Sequence, residues 1–234
     1  MNIYKSLEYL KSYVNNNIDT ENLTTHSDYG IRALLLKVQQ DYRFNFGLPS
    51  YNRKIDDLID AVKVSYPSQE YWMKEFTSRD YVSDVIMGNN IEVDDYAEHI
   101  KFYKNKLHKE GQLSFEDGYE LTHWVWALAV ICKDNHIMRN YQDLMSSSLI
   151  SLYLTLPASD LKTECLYFLS LIDLSKVKED WIINLELTQK PDGTFHGEEQ
   201  NLGLETADKK MMDIHHLCLA LLTLYNYYNS VREN

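Results

Sequence analysis

Apolar residues recur along this chain at helical rather than strand spacing. Ile3, Leu7, Leu10 and Val14 form a stripe with polar residues between them, and Asn15-Asn16-Asn17 closes that helix. Ser27-Asp28 is a good N-cap pair, and Ile31 to Leu36 after it is apolar nearly all round. Ile55, Leu58, Ile59 and Val62 make an amphipathic helix ending at Tyr66-Pro67, and a weaker one runs from Ser78 to Met87, ending at Gly88-Asn89-Asn90. Tyr96, Ile100, Tyr103 and Leu107 mark a striped, charged helix ending near Gly111; Leu121 to Ile131 is almost wholly apolar. Met138 to Leu156 is striped and stops at Pro157. Leu161 to Ile172 is mostly apolar, Val177, Trp181, Ile182 and Leu185 form another stripe, and Met211 to Tyr228 is again mostly apolar.

Striped helices thus alternate with helices that are apolar on every side. A striped helix covers one face of a core, whereas an all-apolar helix is surrounded. The alternation predicts an all-α fold of about five helical hairpins in two layers, an outer and an inner, arranged as a ring or partial ring. The inner helices are expected to begin near residues 27, 78, 118, 159 and 208. Their N-terminal ends would share one face, collecting helix-dipole positive charge and the polar residues of the first turns. A single domain over residues 1–234 is the expectation.

Composition narrows the class. Only 8 Gly and 4 Pro supply little turn material, which argues against sandwiches, barrels and doubly wound sheets. The formal net charge of −12 offers no basic face, so nucleic acid is not an expected partner. The same charge disfavours anionic membrane surfaces, and no run approaches about 18 consecutive apolar residues. The three cysteines, Cys132, Cys165 and Cys218, are odd in number and sit in apolar runs; reduced thiols and a cytoplasmic location are expected. The first residues read as a helix start, not as an export signal.

The longest irregular stretch runs from Gln189 to Thr206, with Pro191-Asp192-Gly193, Gly197 and Gly203. Such a stretch is either a lid or binding loop or a surface excursion. Gln189-Lys190-Pro191-Asp192-Gly193-Thr194-Phe195 resembles the Gln-x-x-Asp-Gly-x-Trp repeat of terpene cyclases and related α/α-toroids, with Phe195 where Trp is usual. Asp213-Ile214-His215-His216-Leu217-Cys218 resembles the segment opening an inner helix in protein prenyltransferase β-subunits. There the histidine matching His216 is a zinc ligand. Thr163-Glu164-Cys165-Leu166-Tyr167-Phe168 is similar to a second ligand segment of those enzymes around Cys165, but Thr163 stands where they carry an Asp ligand. Tyr119-Glu120-Leu121-Thr122-His123 is similar to a Leu-Thr-His motif of bacterial toroid-like proteins. The specific match is confined to the C-terminal part, and the chain is short for either enzyme family and lacks an Asp-rich catalytic motif.

Candidate chemistry follows the inner helices. His123 lies three residues after Glu120, on one helical face within an apolar run. It is either a metal ligand or a structural histidine bonded to Glu120 or a backbone carbonyl. His215 and His216 point about 100° apart, so one of them faces the centre, and the resemblance favours His216. Asp213 repeats the acid-x-x-His spacing, or caps the helix. Cys165 is either a ligand or a small core hydrophobe, and Glu164 either lines the site or offsets the helix dipole. His123, Cys165 and His216, with His215 in reserve, make a plausible three-ligand zinc set with an open position. Glu120, Glu164 and Asp213 are the candidate catalytic carboxylates. A di-iron site, using both acid-x-x-His pairs with Glu164 and Asp80 or Asp84, is the rival metal assignment. His26, Asp28 and His196 are within sequence reach of the same face; Trp124, Trp126, Tyr167 and Phe168 either wall a pocket or pack a core.

Two functions of different kind follow. One is a metal-dependent enzyme acting on a small or peptide-like apolar substrate in a central cavity. The other is a non-catalytic helical-repeat scaffold that binds a protein or ligand partner. Fold alone does not choose between them.

Overall fold

The computed structural model describes residues 1–17, 26–48, 93–132, 137–157, 160–195 and 206–233. All of its regular structure among these residues is helical: α1 (Ile3–Asn17), α2 (His26–Tyr42), α3 (Val93–Glu110), α4 (Phe115–Cys132), α5 (Ile137–Thr155), α6 (Asp160–Ile172), α7 (Glu179–Leu187) and α8 (Thr206–Glu233), with one 3-10 turn at Leu174–Lys176. The all-α expectation holds. The stripes expected at Ile55–Val62 and Ser78–Met87, and Asp80, Asp84, His136 and His196, lie outside the described residues. No described helix is long and apolar enough to cross a membrane.

The chain divides into two compact units, one formed by Met1–Asn52 with Pro157–Asn234 and the other by Arg53–Leu156. In the second unit α3, α4 and α5 pack on one another. α3 carries Asp94 and Asp95 in its first turn and His108 and Lys109 in its last, each sign opposing the helix dipole. It stops at Gly111, whose φ of +78° suits a residue without Cβ and whose N–H returns to the Leu107 carbonyl at 2.8 Å. Ser114 then caps α4: its hydroxyl accepts from the Asp117 N–H at 3.1 Å and donates to the Asp117 carboxylate at 2.8 Å. Lys106 reaches across from α3 to the same carboxylate at 2.7 Å. The core between these helices is made by Tyr96, Ile100, Leu121, Val125, Leu128, Met145, Leu149 and Leu152. On α5 the hydroxyls of Ser148 and Ser151 donate to carbonyls one turn back, which lets a serine-rich helix bury part of its surface.

In the first unit α8 is the axis, packed against α6, α2 and α1. Every residue from His216 to Leu224 is buried, as the all-round apolar run predicts. α6 is similar, with ten buried residues from Leu161 to Ile172. α2 is less enclosed than its sequence implies. It buries Ile31, Leu35 and Val38 at one-turn spacing, while Leu34 and Leu36 stay half-buried. The Tyr42 hydroxyl fastens it by donating to the Leu221 carbonyl at 2.7 Å, beneath the Tyr225 ring. α1 buries Leu7, Leu10 and Val14, its expected stripe.

Of the irregular stretch from Gln189 to Thr206, residues 196–205 lie outside the described residues. Residues 189–195 form a tight hairpin closed by Lys190 and Thr194, whose backbones bond at 2.7 Å. Its side chains clasp α1. Gln189 accepts from the Asn2 N–H at 2.7 Å and donates to the Asn2 carbonyl at 3.0 Å and the Ser6 hydroxyl at 2.9 Å. Ser6 in turn donates to the Gly193 carbonyl. Gly193 has φ +97°, and a Cβ there would lie 2.6 Å from the Lys5 carbonyl carbon, so only glycine permits this approach. Phe195 anchors the hairpin in the core at 2% exposure.

Candidate functional site

The sequence placed the interesting chemistry at the starts of the inner helices, and α6 and α8 do bring polar residues together. The α8 residues are not where they were expected within their helix. α8 begins at Thr206, so Asp213, His215 and His216 lie about two turns in, past any capping position. His215 and His216 face the beginning of α6 instead. His216 is buried, and its Nε2 lies 2.9 Å from the Thr163 hydroxyl. His215 is one residue on and turned aside. Its Nδ1 lies 3.1 and 3.2 Å from the two carboxylate oxygens of Asp160. Thus adjacent histidines on α8 each take one partner from α6, and the two partners, Asp160 and Thr163, are themselves one turn apart.

Burial separates the two pairs. The His216–Thr163 contact is enclosed, with Phe195 ring-to-ring with His216 at 6.3 Å. The Asp160 side chain is 11% exposed while that of His215 is 32% exposed. Burial is the largest influence on His215 and pulls its pKa down, but the charge and hydrogen bond of Asp160, with Glu164 adding, outweigh it and raise the value to about 9. The Asp160 carboxylate thus favours the protonated ring. No hydrogen bond joins Nε2 of His215 to any described residue.

Glu164 and Cys165 point into the core. Glu164 is 2% exposed, which removes it from the role of a surface charge offsetting the helix dipole. Burial, and after it the Glu164 charge, holds the Cys165 thiol well above its ordinary pKa; burial does the same to Cys218 on α8. Both are free thiols. Tyr167 and Phe168 pack in the core against each other, and burial pushes the Tyr167 hydroxyl up to about 12. Asp213 is half-buried; its charge, after burial, raises the pKa of Tyr9 on α1, as does that of Asp192 in the hairpin.

The remaining candidates belong to the other unit. Glu120 is buried on α4, and His123 is half-buried beside the Tyr119 ring. Trp124 stacks on His99 of α3 with centroids 4.0 Å apart and planes within 6°. Of the proposed zinc ligands, His123 belongs to one compact unit and Cys165, His215 and His216 to the other. Among the described residues no group of three or more His, Cys, Asp or Glu side chains is placed to hold a metal ion. Within the first unit a zinc ion on Nε2 of His216 would have to displace Thr163.

Asp160 is the residue that sequence reading missed. At the first position of a helix it looks like ordinary dipole compensation, and its partner is 55 residues away. Thr163 was visible only as the point where the chain departs from the prenyltransferase ligand pattern. That departure is the signal: the position holds a hydroxyl that satisfies His216. Comparison of the chain with protein-family models, curated proteins and solved structures gives no match.

Proposed function

We propose that the chain is a non-catalytic helical-repeat scaffold, an α/α-toroid or partial ring of hairpins, that binds a small or peptide-like ligand at the polar end formed by α6 and α8. The observation that carries this reading is the enclosed His216–Thr163 hydrogen bond. It supports core hydrogen bonding for the histidine singled out by the resemblance, the role a scaffold would use. Buried polar groups are kept in cores only when paired, and this pair ties α6 to α8.

The test is elemental analysis of protein purified without a His tag, run beside thermal unfolding of His216→Ala. The scaffold reading expects destabilisation by the substitution and no stoichiometric metal in either protein. Stoichiometric zinc or iron in the parent, lost on His216→Ala, would overturn it. The result would favour a metal-dependent enzyme acting on a small or peptide-like apolar substrate.

A further inference from the structure

Trp181, Ile182 and Leu185 seat α7 on the core, yet two further apolar residues of this short helix face the other way. At about 100° per residue, Ile183 and Leu187 fall opposite the buried three. Their exposures are 46% and 77%. They are one turn apart and so form a single strip. Tyr228 of α8 reaches the same helix: its hydroxyl donates to the Glu186 carboxylate at 2.7 Å, and the Glu179 charge acts on that hydroxyl too. Tyr228 and Val231, one turn further on, are also exposed. A single exposed apolar side chain is ordinary, but a group drawn from two helices that touch marks a contact surface.

We infer that the outer face of α7, with the last turns of α8, is a docking surface for a basic amphipathic helix of a partner protein.

The charges around the strip select this occupant. Asp180 flanks it on one side and Glu179 and Glu186 on the other, and α7 contains no Lys or Arg. Lys178, just before the helix, has its ammonium 5.2 Å from the centre of the Trp181 ring, a residue of the packed side. On α8 Arg232 follows Val231 and leaves the carboxylates in excess. A partner helix with apolar residues at one-turn spacing covers Ile183 and Leu187, while its Lys or Arg residues meet Glu179, Asp180 and Glu186. A second copy pairing through the same face would set carboxylates against carboxylates, and an anionic partner meets the same repulsion. The surface uses neither of the α8 histidines, so it stands apart from the polar end of α6 and α8.

The test uses the full chain and a fluorescent peptide amide of Leu and Lys, about 14 residues long so that a helix can form, with its leucines at helical spacing. Anisotropy is read at about 0.15 M salt, which screens attraction between distant charges. Saturable binding is expected. A peptide of the same composition with the leucines out of helical register should bind at least about tenfold more weakly. Ile183→Ser with Leu187→Ser, and separately Glu179→Gln with Asp180→Asn, should each weaken binding by at least about tenfold. Glu110→Gln with Glu116→Gln removes the same charge from the other unit and should leave binding unchanged. All six positions are exposed, so each variant is expected to melt cooperatively. The inference is overturned by an absence of saturable binding, by equal binding of the two peptides, or by α7 variants that bind like the parent. It is also overturned if the Glu110 and Glu116 control weakens binding as much as the α7 variants do. A parent that sediments as a dimer, dissociated by Ile183→Ser with Leu187→Ser, would overturn it as well and give the face to a second copy.

Discussion

The ion pair that bridges α3 to α4 in one unit is part-exposed, while the His216–Thr163 pair that bridges α6 to α8 in the other is buried. Lys106 and Asp117 bridge α3 to α4 with 31% and 23% of their side chains exposed, and Lys104 of α3 bonds to Ser147 of α5 at 2.6 Å. Beneath them Tyr96, Ile100, Leu121 and Val125 are buried, and so are Glu120 and Thr122 of α4. Between α6 and α8 the seam itself carries Thr163, Glu164 and His216. A surface ion pair contributes little, because water screens it and two long side chains must be ordered. An enclosed polar pair is sensitive for the opposite reason: deleting one partner strands the other away from water. Residues of similar chemistry therefore have very different weight in the two pairs.

The largest effect should come from the hairpin that clasps α1 in the α6–α8 unit. Gly193→Ala adds a Cβ 2.6 Å from the Lys5 backbone at a φ of +97°, and the combined clash and strain should cost on the order of 3 kcal/mol. Urea denaturation measures it directly; parent-like stability would mean the hairpin does not hold α1 as described. His216→Ala comes next, expected to cost about 2–3 kcal/mol through a cavity and the lost hydrogen bond to Thr163. Thr163→Val keeps the volume and removes the hydroxyl, at about 1–2 kcal/mol. Parent-like melting of both would break the contrast between the two helix pairs.

A smaller effect is expected in pH. The folded pKa of His215 is raised to about 9 from an ordinary 6.5. Its pairing with Asp160 therefore stabilises the fold fully below about pH 6.5, and that contribution is lost as pH rises through about 9. Asp160→Asn should flatten this part of the melting-temperature profile between pH 6 and 10. A profile identical to the parent's would show that the pair does not form. Smallest of all, Lys106→Ala should leave the melting temperature unchanged within error, and a clear loss there would show that the surface bridge matters as much as the buried pair.

The helices of this chain were legible because burial leaves a periodic trace. The stripe of Leu7, Leu10 and Val14, the stops at Asn17, Gly111 and Pro157, and the all-round apolarity of α6 and α8 each follow from local spacing. α2 shows the limit of that rule: Leu34 and Leu36 look as apolar as any core residue but are only half covered, since how many neighbours a helix finds is not written in its own sequence. The start of α8 was legible to within a few residues, near 208 against Thr206. Asp213, read as either a cap or a site acid, lies about two turns in, and nothing local distinguishes a cap from such an acid. The polar end of α6 and α8 was anticipated, but its pairings were not. Asp160 meets His215 and Thr163 meets His216 only once two distant helices pack, and both partners have ordinary local explanations. The clasp of Gln189 on Asn2 and Ser6 was hidden for the same reason, being a contact across 187 residues.

The account depends most on His216 being a core hydrogen-bonder. Metal content and thermal stability of untagged parent and His216→Ala, measured on the same preparations, test this most directly. The account predicts substoichiometric metal in both proteins and a clearly lowered melting temperature in the variant that added zinc does not change. One equivalent of zinc in the parent, absent from His216→Ala, would contradict it.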